Sequence, residues 1–132
     1  HTGSGKTHCL FGHSEPGTQL GGIAARAARQ VFDRIEAEAR EGADFVLHCS
    51  FVEIYRERLR DLLNPSNQSL RIRDVPMHGL GVDGLTQEPA ISASEVLRAL
   101  SVGRRNRATA ATQANEHSSR SHAIFSLHVH RR

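Results

Sequence analysis

A short run at the start of the chain, Thr2-Gly3-Ser4-Gly5-Lys6-Thr7-His8, constrains the fold more than any other stretch. It has the form of a phosphate-binding loop, G-x-x-x-x-G-K-[ST], whose first glycine would fall one position before His1. Gly3 and Gly5 let the backbone curl so that successive N–H groups converge on phosphate oxygens. A helix starting near Gly5 adds its positive N-terminal end. Lys6 supplies a mobile cation for the outer phosphates, and the Thr7 hydroxyl is placed to ligate Mg²⁺. A Gly/Ser turn ahead of a helix would share the glycines but not the lysine. Lys6 is the only lysine in a chain with 17 lysines and arginines, so a compact point charge has a use here that arginine does not serve.

The length of 132 residues suits one domain, and 38% apolar against 23% charged residues describes a globular chain rather than a disordered tail. The sequence opens without methionine and inside a motif, so it reads as an interior piece of something longer that folds with help from its neighbours. The net charge of +3 comes from scattered arginines. It permits an acidic polymer as partner without calling for nucleic acid. Cys9 and Cys49 are expected to be reduced, buried and inert, as in an intracellular protein. No apolar run approaches the roughly 18–20 residues of a membrane span and no signal peptide is visible, which makes the cytoplasm the default address.

Hydrophobic spacing organises the rest. A first helix is expected from Gly5 to Phe11, broken by turn residues from Gly12 to Gly17. A second runs from Leu20 with a stripe of Leu20, Ile23, Ala24, Ala27, Val31 and Ile35, and ends at Gly42. Phe45 to Tyr55 alternates with apolar groups on both faces, which predicts a central strand covered by helices on both sides. The charges of Arg56 to Arg60 read as a solvated face, and Asn64 to Asn67 as a turn. Leu70–Arg73 and Gly81–Thr86 form a hairpin around Pro76 to Gly79. Ser92 and Glu95 have capping-box spacing, with Ile91 and Val96 placed as a hydrophobic staple. The helix they open buries Val96, Leu97 and Leu100 and ends at Gly103, where Arg104, Arg105 and Arg107 complement the helix dipole. The polar run Asn115-Glu116-His117-Ser118-Ser119-Arg120 is an exposed loop before a last strand of alternating Ala123, Phe125, Leu127 and Val129.

Hydrolysis at a phosphate loop also needs groups that sense the γ-phosphate and place a water in line with it, and serines with an arginine on a loop are suitable material. The blocks TGSGKTH, FVEIYRERLRDLL, GVDGLTQEP and NEHSSRSHAIF, in that order, resemble the kinesin motor domain. The resemblance covers essentially all 132 residues but only an interior part of the family's domain, with the earlier strands, switch II and the later helices lying outside it. It implies an α/β fold of the P-loop NTPase type, a central mixed β-sheet flanked by helices. It also implies a microtubule-stimulated ATPase that couples ATP hydrolysis to movement along microtubules of the cytoskeleton. Under this resemblance residues 1–8 are the P-loop, with Thr2, Gly3, Ser4, Gly5, Lys6 and Thr7 around the phosphates and His8 on the adenine. Residues 115–122 are switch I, where Asn115, Ser118, Ser119 and Arg120 match the family's catalytic set. Thr7 and Ser119 face Mg²⁺, Ser118 and Ser119 close on the γ-phosphate, and Arg120 pairs with an acid of switch II.

Two departures stand out. His1 takes the place of a glutamine common in the family, and no D-x-x-G motif occurs in the chain. The hairpin around Arg71, Arg73 and His78 matches part of the family's microtubule surface, although ordinary surface charge would look the same. His128-x-His130 puts two imidazoles on one strand face without a third metal ligand, which favours a structural role. The rival readings are a GTPase, disfavoured by the lack of an N-K-x-D motif, and a motor-like module that binds microtubules or another partner without turnover. As an isolated piece the chain is expected to be inactive.

Overall fold

The computed structural model describes residues 6–11, 22–111 and 120–132. In chain order the elements are α1 (Lys6–Phe11), α2 (Ile23–Ala39), β1 (Phe45–Tyr55), β2 (Arg58–Asp61), β3 (Arg71–Val75), β4 (Gly79–Asp83), β5 (Glu88–Pro89), α3 (Ala93–Ala111) and β6 (Ser121–Arg131). β1 is the centre, as its apolar residues on both faces require. β6 runs beside it along its whole length, from Phe45↔Arg131 to Tyr55↔Ser121. The other edge is shared by β5 at His48 and Cys49 and by β2 at Val52 to Tyr55. Helices pack on this sheet, so the α/β class holds. Every ladder among the described residues is antiparallel, and the parallel pairs that would make the sheet mixed are not among them.

The odd-numbered residues of β1 carry the core. Leu47 and Cys49 meet Ala28 of α2 and Val96 and Ala99 of α3, while Phe51 meets Leu62 and Leu100. The rings of Phe51 and Phe125 pack edge to face with centroids 5.2 Å apart, a favoured aromatic geometry. Helices were expected on both sides of β1; among the described residues their buried side chains gather on the odd-numbered face. On the even-numbered face Val52 is buried and Ser50 Oγ bonds His128 Nε2 at 3.0 Å.

Three local expectations need correction. The packed side of α2 consists of Ala25 and Ala28 with Ala24, Val31, Phe32 and Ile35, whereas Ile23 and Ala27 face outward. This stripe has the same helical spacing but includes Phe32, the larger apolar group to bury. α3 does not stop at Gly103; it continues to Ala111. A Cβ on Gly103 would lie 2.1 Å from a Phe51 ring carbon, so this glycine permits close helix–strand approach rather than ending the helix. At the start of α3, Glu95 N–H does donate to Ser92 Oγ at 3.3 Å, but the Glu95 carboxylate reaches back to Ile91 N–H at 2.6 Å. Ile91 is 85% exposed and staples nothing to Val96.

The charges of Arg56, Glu57 and Arg58 are exposed as expected, but the stretch also holds a turn that its sequence does not announce. The sequence carries no glycine or asparagine here, yet Tyr55↔Arg58 closes a hairpin over Arg56 and Glu57, both at positive φ (49° and 65°). Two central residues with positive φ are what the right-handed twist of paired strands demands. Asp61, directly after that run, is fully buried. Its Oδ1 accepts from the Leu63 and Asn64 N–H groups at 3.0 and 3.1 Å. Its Oδ2 accepts from Asn67 Nδ2, Thr86 N–H and Thr86 Oγ1 at 3.1, 2.9 and 2.7 Å. This carboxylate organises the turn after β2 and ties it to the segment after the β3–β4 hairpin, which forms where a hairpin was expected but with strands 71–75 and 79–83 closing at Val75↔Gly79.

Since both oxygens of Asp61 face donors, an asparagine would direct its NH₂ at a donor in either orientation. Asp61→Asn and Asp61→Ala are therefore both expected to destabilise the protein by about 3 kcal/mol or more, the cost of stranding buried donors. Thermal unfolding of the full-length protein checks this; a near-normal melting temperature for Asp61→Asn would contradict it.

Candidate functional site

Lys6 opens α1 with its side chain exposed, and it forms no ion pair with a described residue. Thr7 and His8 follow in the same helix, their side chains outside what is described. Thr2, Gly3, Ser4 and Gly5 lie outside the described residues, as do Asn115, Ser118, Ser119 and the Gly12–Gly17 break. Arg120 is exposed at the bend directly before β6. The structure thus defines the helix that carries Lys6 and the two elements on either side of residues 112–119, namely α3 and β6.

α1 is short and is held from two sides. A Cβ on Gly22 would lie 2.4 Å from the Leu10 carbonyl carbon and oxygen, so the entry to α2 touches the α1 backbone. From α3, the Arg104 guanidinium stacks over the Phe11 ring with its carbon 3.7 Å from the centroid. Burial lowers the pKa of Arg104, and the ring face offsets part of that cost through a cation–π contact. This arginine was expected merely to complement a helix end; it instead joins α3 to the helix that carries Lys6.

The sequence reading passed over Glu53. Alternation along β1 gives it the same face as Leu47, Cys49 and Phe51, and a carboxylate continuing an apolar face is the signal that would have found it. Glu53 is fully buried. Its Oε2 accepts from Arg107 Nε at 3.1 Å and from Ser121 Oγ at 2.7 Å. Arg107 Nη2 in turn donates to Ser121 Oγ at 3.1 Å and to the Ser121 carbonyl at 3.3 Å. Arg60 of β2 brings Nη1 to 3.9 Å from Glu53 Oε1. Three side chains from β1, α3 and β6 form a closed, charge-assisted triangle, the strong form of hydrogen bonding.

No group of three or more His, Cys, Asp or Glu suited to a metal occurs among the described residues, and His128 spends its Nε2 on Ser50. A family model for the kinesin motor domain matches residues 1–132. The kinesin-like protein KIF13A of Mus musculus is 43% identical over 128 residues, covering 96% of this chain and 7% of its own. The kinesin-like protein KIF15 of Strongylocentrotus purpuratus is 38% identical over 135 residues, covering 97% and 9%. Among solved structures, that of a fast kinesin superposes with a TM-score of 0.87 at 35% identity, over 100% of this chain and 37% of that one. The chain therefore spans less than a tenth of the length of these two curated relatives.

The cysteines differ from expectation in one respect. Both are free, but Cys9 is exposed and only Cys49 is buried. Burial, helped by the charge of Glu88, raises the Cys49 thiol to about 11. Reaction with a thiolate-selective reagent near pH 8 should consume one thiol in the native protein region spanned here, at Cys9, and reach Cys49 only on unfolding. Because a raised thiol pKa favours the folded state below the ordinary value of 9.0, this contribution is lost as pH rises through about 11. Native reaction of Cys49 at pH 8, read by peptide mapping, would contradict its placement.

Proposed function

Because the chain belongs to the kinesin motor-domain family, we propose that it is the part of a microtubule-stimulated ATPase that binds ATP and Mg²⁺ and couples hydrolysis to movement along microtubules. The observation that carries this is the family match across residues 1–132, with Lys6 exposed at the first turn of α1. The family's work would place the protein on the microtubule cytoskeleton of the cytoplasm. No helix among the described residues is long and apolar enough to cross a membrane.

The donor set suits a nucleoside triphosphate with a hard cation. An ammonium that pairs with no described residue is free to meet the β- and γ-phosphates, and the Thr7 and Ser119 hydroxyls are the oxygen ligands Mg²⁺ prefers. Mg²⁺ held there by Thr7 and Ser119 would supply positive charge to neutralise the phosphates. Of the chain's own groups, Lys6 adds positive charge where negative charge develops, and Asn115, Ser118 and Ser119 orient the attacking water. Catalysis is then positional and electrostatic, with no covalent intermediate on the protein.

The β3–β4 hairpin would contribute to the microtubule contact. Arg71, Arg73 and His78 are exposed on it beside the exposed apolar groups Ile72, Met77 and Leu80, and Arg73 is held by Asp83 at 3.2 Å. Asp74 and Asp83 balance the two arginines, so the hairpin offers a charged, partly apolar projection whose Arg71 and Arg73 can meet acidic groups of a partner.

The rival, a motor-like module without turnover, is separated by one experiment on the full-length protein. Lys6→Ala should lower microtubule-stimulated phosphate release by about 100-fold or more, the scale of losing a main electrostatic group, while microtubule co-sedimentation persists. Arg71→Glu with Arg73→Glu should do the reverse, weakening co-sedimentation first. Absence of turnover in the wild type, with binding intact, would establish the rival.

A further inference from the structure

A charged residue buried in a strand calls for a reason beyond stability. The same face of β1 uses Leu47, Cys49 and Phe51, and replacing a buried ion pair by apolar groups is often neutral or stabilising. What a buried carboxylate supplies, when one oxygen is held by Arg107 and Ser121 and the other faces the Arg60 guanidinium at 3.9 Å, is a fixed geometry. Glu53 sits where such fixing is needed. Ser121 is the first residue of β6 and pairs with Tyr55, the last residue of β1, and the end of a ladder is where strands fray. Arg107 grips not only the Ser121 hydroxyl but its backbone carbonyl, so the restraint acts on the chain path itself.

The helix side of the triangle is equally constrained. Within one stretch of α3, Gly103 lies against the Phe51 ring, Arg104 covers Phe11 of α1, Asn106 Nδ2 donates to the Leu62 carbonyl at 2.7 Å, and Arg107 holds Glu53 and Ser121. These contacts point in several directions, so this stretch of α3 cannot slide or turn without breaking at least one of them. We propose that Glu53, with Arg107 and Ser121, is a positioning group for ATP hydrolysis. It fixes the approach of α3 and the start of β6 to each other, and so the two points from which the residue 112–119 stretch departs and returns. Arg104, on the same stretch of α3, ties that helix to α1, which bears Lys6. The proposal rests on the reading that residues 115–120 sense the γ-phosphate, and assigns Glu53 no contact with nucleotide.

Three variants of the full-length protein test it. Ser121→Ala removes the shared hydroxyl, Arg107→Lys keeps the charge but loses the planar fork, and Glu53→Gln keeps the shape but loses the charge. Each is read for microtubule-stimulated kcat, affinity for a fluorescent ADP analogue, and melting temperature. A displacement of about an ångström in a positioning element costs up to ~100-fold in rate, so kcat should fall by about 3- to 10-fold for Ser121→Ala and by about 10-fold or more for the other two. ADP affinity should stay within about twofold, because the lost interaction matters in the transition state and not in the ground state. If Glu53→Gln does not fold, the smaller Ser121→Ala change still carries the test. Unchanged kcat in Ser121→Ala and Arg107→Lys, or loss of kcat only in step with ADP affinity or folded fraction, would overturn the proposal. Ser119→Ala separates the two levels: full turnover in that variant would refute the γ-phosphate reading itself. Lost turnover there, with normal turnover in Ser121→Ala and Arg107→Lys, would refute the positioning role alone.

Discussion

The buried carboxylate of Glu53 is the constraint on which the arrangement of the described elements depends. Taking an ion out of water costs several kcal/mol unless its partners are in place. Here they come from three elements besides its own strand: Arg107 of α3, Ser121 of β6 and Arg60 of β2. The sheet, the helix and the strand after residues 112–119 must therefore be assembled together for this group to be satisfied. Removing one partner of such a cluster typically costs ~3–5 kcal/mol, which makes the cluster a device for a single geometry and not a cheap source of stability.

A second buried carboxylate plays a comparable part further from the candidate site. Asp61 satisfies five donors from the turn after β2 and from Thr86, and so joins the β3–β4 hairpin to the sheet. The two acids divide the labour. Asp61 fixes the exposed hairpin, while Glu53 fixes α3 and β6, the elements on either side of residues 112–119. Between them run Phe51, Leu62 and Leu100, the smaller of the two apolar clusters. This packing transmits strain because close-packed side chains have few alternative positions.

Much of this was legible in the sequence where one local rule decided the outcome. β1 was found to its last residue because eleven residues of alternation admit no other element, and the β3–β4 hairpin followed from Pro76 and Gly79. The turn at Arg56 and Glu57 was not legible, since neither residue favours positive φ and only strand pairing holds them there. Gly103 was read as a helix end because glycine usually marks one; its actual reason, the Phe51 ring, is a tertiary contact. Arg104 and Arg107 were assigned to a helix dipole for the same cause: a basic run looks alike whether it meets solvent, a ring or a buried acid. Among the candidate residues, Lys6 and Arg120 rest on motif alone, whereas Glu53 needed the third dimension to bring Arg107 and Ser121 to it.

Hydrogen exchange of the full-length protein, comparing wild type with Glu53→Gln, tests most directly that one carboxylate holds two separate elements. Amides in 103–109 of α3 and in 121–125 of β6 should exchange faster together in the variant, while those in 28–39 of α2 keep their protection. Faster exchange in only one of the two segments, or in neither, would contradict the claim that Glu53 joins them.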